Sequence, residues 1–260
     1  MTAEAVPQPT LSPENGVLDF PVLDREPGPF ARRLALERHP VGTYILGIAL
    51  SVAVIAGLSI LAGLFVTHTI LHVRGVADHD DSLVGFLARH RSTTLTDASL
   101  VGSIMAGGVM LPIVAAAAAL IGLIAKQWRL ALFLLLALGV ESASYRITTL
   151  VIHRHRPDVH RLEDLPVNAS YPSGHTAASI AIYCGLALLL TSRMRNRVAQ
   201  ASVWAVAVLV PVFVAFSRMY RGMHHPIDVA GGALVGIAAL SALVLVTRAS
   251  ANATSPRRSQ

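Results

Sequence analysis

Lysine, cysteine and charge are all scarce in this chain. Lys126 is the only lysine among 260 residues, so the formal net charge of +6 rests almost wholly on arginine. Charged residues make up 14% of the chain, against about 25% in an ordinary soluble domain. With 53% hydrophobic residues and a mean hydropathy of +0.59, that shortage excludes a soluble globular protein and indicates an integral membrane protein. It also changes what the basic balance means. An arginine excess on cytoplasmic loops accounts for most of it, and no nucleic-acid partner is expected. Cys184 is the single cysteine and lies inside an apolar run. No intrachain disulfide is therefore possible, and the thiol is expected to serve packing. An apolar core close to Met1 is missing as well, which argues against an ordinary cleaved signal peptide. Internal repeats are absent.

Present in their place are six long apolar segments, at about residues 41–66, 98–125, 130–152, 173–190, 201–216 and 227–246. A bilayer-crossing helix needs about 20 apolar residues, and the fifth segment, the shortest, extends toward Val198. The expected fold is an all-α bundle of six transmembrane helices over residues 41–247. Residues 1–40, rich in Pro, Glu and Asp, read as a disordered tail that ends in Arg32, Arg33 and Arg38. Residues 248–260 read as a second tail. The first span is expected to act as an uncleaved anchor. Between the first two spans the chain turns polar, and Leu83–Leu87 reads either as a short surface helix or as an ordinary interfacial loop.

Six spans place both termini on one side. That side collects Arg32, Arg33, Arg38, Lys126, Arg129, Arg193, Arg195, Arg197, Arg248, Arg257 and Arg258, while the other holds Asp78, Asp80, Asp81, Glu163 and Asp164. Both termini are thus expected in the cytoplasm of a cell-membrane protein.

Three short polar blocks interrupt the apolar pattern. They are Arg156-Pro157, Pro172-Ser173-Gly174-His175, and Ser217-Arg218 followed by His224 and Asp228. The charge count puts all three on the extracytoplasmic side. Arg156 and Arg218 are permanent cations suited to gripping phosphate oxygens. Ser173 and Gly174 open an apolar helix, where free backbone N–H groups can face an anion. His175 and His224 have side chains able to move protons or attack phosphorus. Asp228 lies one helical turn after His224 and is placed to hold its imidazole in one tautomer. Together the blocks make a phosphoryl-transfer constellation.

These blocks resemble the signature of the type 2 phosphatidic acid phosphatase (PAP2) superfamily, whose soluble relatives include vanadium haloperoxidases. That pattern is Lys-x6-Arg-Pro, Pro-Ser-Gly-His and Ser-Arg-x5-His-x3-Asp. The second and third blocks match at every defined position. The resemblance implies a PAP2/haloperoxidase-like helical bundle that needs no metal or other cofactor, with a membrane lipid phosphate as its partner. It implies that His224 is the nucleophile and forms a phosphohistidine, that His175 protonates the leaving group, and that Asp228 accepts a hydrogen bond from His224. Arg156, Arg218, Ser173 and Gly174 would bind the phosphate. Polyprenyl diphosphates such as undecaprenyl diphosphate, and glycerophospholipid phosphates such as phosphatidate, both fit. The lysine-poor, arginine-rich usage of a GC-rich bacterium tilts toward the envelope carrier. A phosphotransferase using the same residues, or a non-catalytic lipid-binding or transport protein, is the alternative.

One position departs from the pattern. Seven residues before Arg156 stands Thr149, where the signature has lysine. Arg146, three residues earlier, is the first candidate to restore the cation, and Arg154 the second. The competing reading of Arg146 is a structural contact, for instance with Glu141. His153, His155, His160 and His225 surround the blocks; headgroup-facing histidines are the duller account and a metal site the sharper one. Gly232-x-x-x-Gly236 permits close helix packing. Asn168-Ala-Ser and Asn252-Ala-Thr match glycosylation sequons by chance.

Overall fold

A computed structural model describes residues 40–126 and 128–253, all-helical with no strand among them. The tail residues 1–39 and 254–260, with Arg32, Arg33, Arg38, Arg257 and Arg258, lie outside the described residues.

Among the described residues, eight helices follow one another, besides a short 3-10 turn at Ile70–His72: α1 (Pro40–His68), α2 (Val76–Arg89), α3 (Thr93–Met105), α4 (Met110–Ile124), α5 (Trp128–Val151), α6 (Gly174–Thr191), α7 (Arg197–Tyr220) and α8 (Pro226–Ala253). Helices α1, α5, α6, α7 and α8 are each long and apolar enough to cross a membrane. The segment expected as one span over 98–125 is instead α3 and α4, bent by 47° at their junction. The break falls at Gly107-Gly108, where missing side chains lower helix propensity. Counted as one span, the pair brings the candidate crossings among the described residues from five to six. The stretch Leu83–Leu87 belongs to a full helix, α2, with Leu83 and Phe86 turned outward. Residue 248, where the second tail was expected to begin, is still helical. Helix α8 runs on to Ala253, because Thr247, Arg248 and Ala249 carry no helix breaker.

Helix ends follow local chemistry. The Asn196 side chain accepts from Val198 N at 2.9 Å and Ala199 N at 3.2 Å, capping α7. Pro226 starts α8, where its missing N–H costs nothing. Helix α6 carries a π-turn at Ile180–Cys184. Cys184 donates to the Ala207 carbonyl at 3.4 Å and so joins α6 to α7.

Large apolar side chains point outward along the bundle, among them Ile45, Leu58, Leu61, Ile121, Val198 and Leu209. That lipid-type exterior is expected of a chain solvated by hydrocarbon. Inside, Phe133, Leu134, Ile182, Val214 and Leu243 form one core, and Ile55, Val140, Ala177, Val235 and Ala239 a second.

Small residues set the closest helix contacts. A Cβ on Gly232 would sit 2.3 Å from the Ser173 carbonyl oxygen, and one on Gly236 would sit 2.5 Å from that of Ala177. The Gly232-x-x-x-Gly236 pair thus lays α8 directly on the backbone of α6, the two helices running in the same direction from the same end. Gly232→Ala is expected to push the first turn of α6 off α8, costing about 1–3 kcal/mol as over-packing does, with at least a tenfold loss of activity. Gly57→Ala meets nothing within 4 Å and serves as the neutral control in the same unfolding and activity assays.

The two ends of the bundle differ. Tyr44 and Thr247 share a hydrogen bond at 3.5 Å, and Gly47 abuts Val246, so the start of α1 and the end of α8 lie together. At the opposite end, Gly63 packs on Ile152 and Tyr171, and Arg91 donates to the Tyr220 and His160 carbonyls. All three polar blocks gather at this second end.

Candidate active site

The first block lies in the loop between α5 and α6, the second at the start of α6, and the third across the α7–α8 turn. Gly222, at φ +73°, lets the chain reverse after α7.

His224 is buried at this turn. Its Nδ1 lies 2.7 Å from the Ser170 carbonyl oxygen, so Nδ1 carries the proton and donates. Nε2 is left as a lone pair and faces Arg156 Nη1 at 3.3 Å. This corrects the expected His224–Asp228 hydrogen bond: the nearest Asp228 oxygen is 4.0 Å from Nδ1. Asp228 Oδ2 is taken instead by Ser170 Oγ at 2.6 Å, His225 N at 2.9 Å and His225 Nδ1 at 3.1 Å. Oδ1 accepts from Arg154 Nη1 at 2.5 Å. Asp228 therefore acts one step back, fixing Ser170, whose carbonyl fixes the imidazole. The physical reason is the cap: a carboxylate in the first turn of α8 is claimed by the backbone N–H of His225.

Burial pushes the His224 imidazole well below its usual 6.5, and the Arg156 and Arg218 guanidiniums push the same way against Asp228. The ring is neutral in the folded protein and protonates on unfolding below about pH 6.5. The unfolded state then binds the extra proton, so this stabilisation is present above about pH 6.5 and lost as pH falls below it. In unfolding measurements across about pH 5 to 7, wild type is expected to lose stability more steeply on acidification than His224→Gln.

Arg218 is fully buried at the end of α7. Its Nη1 donates to Ser103 Oγ at 2.5 Å and to Glu163 Oε2 at 2.7 Å. Its Nε and Nη2 have no protein partner. Glu163 also accepts from Arg221 Nε at 2.5 Å and Ser103 Oγ at 2.7 Å. Burial alone would raise the Glu163 carboxyl, but Arg218 and the three hydrogen bonds outweigh it and lower it to about 2. Glu163 thus stays ionised and clamps one side of Arg218, leaving Nε and Nη2 on the other side buried without a protein partner.

Arg156 is held by loop carbonyls: Nε to Pro166 at 2.8 Å, Nη2 to Ala169 at 2.9 Å and Nη1 to Met223 at 2.5 Å. These bonds fold the loop around the guanidinium and, with Nη1 also donating to the His224 Nε2 lone pair, leave one N–H group, on Nη2. At the second block, Ser173 N–H is spent on the Asp228 carbonyl at 2.9 Å, and Ser173 Oγ shares a bond with Thr176 Oγ1 at 3.0 Å. The Ser173 backbone is therefore not an anion donor, contrary to expectation. The N–H groups of Gly174, His175 and Thr176 precede the first intrahelical bond, Ala177 N to Ser173 O, and are the donors helix geometry leaves open.

Neither candidate for the missing lysine lies where it was expected. Helix α5 turns Glu141, Ser144 and Thr148 inward, whereas Arg146 is exposed. At about 100° per residue, Arg146 lies roughly opposite Thr148. Thr149 spends its hydroxyl on the Arg146 carbonyl at 2.9 Å. Arg154 is buried between Asp228 and Asp80, the latter on α2. Asp80 Oδ1 accepts from Ile227 N at 3.1 Å, and His225 Nε2 lies 2.9 Å from Asp81 Oδ1. Helix α2 is thereby fastened to the turn that carries His224. His225 is engaged in this network, and no cluster of three metal-ligating side chains occurs among the described residues.

The sequence reading missed Ser170, Asp80, Ser103 and Glu163. Ser170 acts through its carbonyl, which no side-chain pattern reveals. Ser103 was visible only as a hydroxyl in an apolar span, and Glu163 and Asp80 only as charges on the arginine-poor side.

A buried imidazole and two buried guanidiniums thus lie at one end of a bundle whose apolar exterior is that of a multi-pass membrane protein. The PAP2 superfamily model matches residues 130–251 of the chain. It is 40% identical over 75 residues to an undecaprenyl-diphosphatase of Sulfolobus acidocaldarius, covering 29% of this chain and 32% of that protein. It is 29% identical over 133 residues to phosphatidylglycerophosphatase B of Bacillus subtilis, covering 51% of this chain and 64% of that one. The matched segments thus span under two thirds of these relatives. The fold is that of the crystal structure of the transmembrane PAP2 type phosphatidylglycerolphosphate phosphatase from Bacillus subtilis. The TM-score is 0.61 at 22% identity, covering 78% of this chain and 93% of that one.

Proposed function

We propose that the chain is a membrane lipid phosphatase that cleaves a lipid phosphate or diphosphate through a phosphohistidine. One observation carries this reading. Arg218 is wholly buried, yet its Nε and Nη2 have no protein partner. A buried cation with unmet donors calls for an anion, and the neighbouring neutral imidazole offers a lone pair to it.

The substrate phosphate lies against Arg218 Nε and Nη2, the remaining Arg156 Nη2 N–H and the first N–H groups of α6. His224 Nε2 attacks phosphorus, forming the P–N bond as the P–O bond to the leaving group breaks. His175, at the start of α6, gives its proton to the departing oxygen. Water then attacks the phosphohistidine and passes its proton to His175, and phosphate leaves. The donors stabilise the charge that gathers on the equatorial oxygens. No metal is assigned a role. Polyprenyl diphosphates and glycerophospholipid phosphates both present this group at a membrane surface, and the names of the relatives include both kinds.

The site is assigned to the extracytoplasmic face of the cell membrane, with both chain ends cytoplasmic. Lys126, Arg193, Arg195, Arg197 and Arg248 lie on elements at the end opposite the polar blocks, which supports that orientation.

The test is phosphate release by purified protein in detergent with EDTA, offered undecaprenyl diphosphate and phosphatidate in parallel. Release without any acceptor is expected. An absolute requirement for a lipid or sugar acceptor would make the protein a transferase, and no release under either condition would remove the enzyme reading.

A further inference from the structure

Tyr145 lies where no signature position predicts a functional group. It sits on α5, one helical turn before Thr149, and its ring packs against Gly174 at the start of α6. A Cβ added to Gly174 would fall 3.0 Å from the Tyr145 Cε2 and Cζ atoms. Gly174 is thus the residue that lets the phenol reach the α6 N-terminus. The ring is half-buried, and its hydroxyl makes no hydrogen bond to a described residue. The phenol oxygen lies within electrostatic reach of both Arg156 and Arg218. The unpartnered Nε and Nη2 of Arg218 belong to the same site.

On the reading of this site as a phosphate-ester hydrolase, we infer that the Tyr145 hydroxyl is a phosphate ligand. It donates to a phosphate oxygen from the α5 side, the side on which Thr149 supplies no cation. A hydroxyl placed among buried guanidiniums, with its ring fixed by Gly174 and its proton uncommitted, has an anion oxygen as its natural acceptor. The substitution of a neutral donor for a cation also lowers the positive charge of the site, and so weakens its hold on free phosphate after hydrolysis.

Tyr145→Phe tests this, because it removes the hydroxyl and keeps the ring on Gly174. Inorganic phosphate is the probe, titrated against purified protein by calorimetry, with His224→Ala included so that binding is read without turnover. Affinity for phosphate and kcat/KM are both expected to fall about ten- to hundredfold, the loss typical of a hydrogen bond to a charged group, while the unfolding midpoint stays unchanged. Adding Thr149→Lys to Tyr145→Phe is expected to restore phosphate affinity, since a lysine one turn further on reaches the same anion. Unchanged phosphate affinity and kcat/KM in Tyr145→Phe overturn the assignment while leaving the hydrolase reading intact. Failure of the wild-type protein to release phosphate from either lipid overturns the hydrolase reading itself, whatever Tyr145→Phe does.

Discussion

His224→Ala is expected to lower kcat by at least about four orders of magnitude, the scale on which a member of a nucleophilic unit is lost. The prediction rests on the state of Nε2. The Ser170 carbonyl fixes the Nδ1 proton at 2.7 Å, so Nε2 is the unprotonated nitrogen. Burial and two guanidiniums keep it unprotonated at neutral pH. Alkaline quench with a radiolabelled phosphoryl donor should trap a base-stable, acid-labile phosphoenzyme in wild type and none in His224→Ala. Ser170→Ala separates the two layers of support. It keeps the carbonyl but removes the Oγ that donates to Asp228 at 2.6 Å. A loss of about tenfold is expected there, far short of the nucleophile's own. Equal losses in the two variants would mean that Ser170 does chemistry, and the tautomer argument would be wrong.

Arg154→Ala is expected to destabilise the protein by about 3–5 kcal/mol, the cost of removing one partner from a buried ionic network. Arg154 joins Asp80 of α2 to Asp228 of α8, and both carboxylates are almost wholly shielded. Its removal leaves two buried negative charges and unfastens α2 from the α7–α8 turn. Activity should fall with stability, because Asp228 also organises Ser170 and His225. Pairing Arg154→Ala with Asp80→Asn should recover part of the stability, because one uncompensated charge is then gone. Equilibrium unfolding in detergent measures both. An unchanged midpoint in Arg154→Ala would show that water reaches these carboxylates and that α2 is not tied to the site.

The same residue shows how a signature reading goes astray. Two residues before Arg156, Arg154 is an obvious spare cation for the phosphate. In the folded chain the Asp80 and Asp228 carboxylates claim it, and Asp80 is 74 positions away. Attraction between opposite charges is strong in a poorly solvated interior, so a guanidinium near two carboxylates is not left for a ligand. Arg146 fails for a different reason. Spacing along a helix fixes which residues share a face, but the choice of face belongs to the neighbours. Here α5 presents Glu141, Ser144 and Thr148 to the interior and leaves Arg146 exposed.

The amino-acid sequence by itself determined the membrane class and the setting of the three polar blocks between apolar segments. Apolar length and turn chemistry are local properties, and they survive folding because bilayer and backbone impose them segment by segment. The Gly232-x-x-x-Gly236 contact was legible for the same reason. Tertiary structure alone decided which acceptor holds His224, which face of α5 meets α6, and which side of Arg218 is closed. Those outcomes depend on atoms brought together across distant parts of the chain. The Ser170 carbonyl, the Glu163 clamp and the Tyr145 ring on Gly174 each arise from packing between separate elements, and no spacing within one segment encodes them.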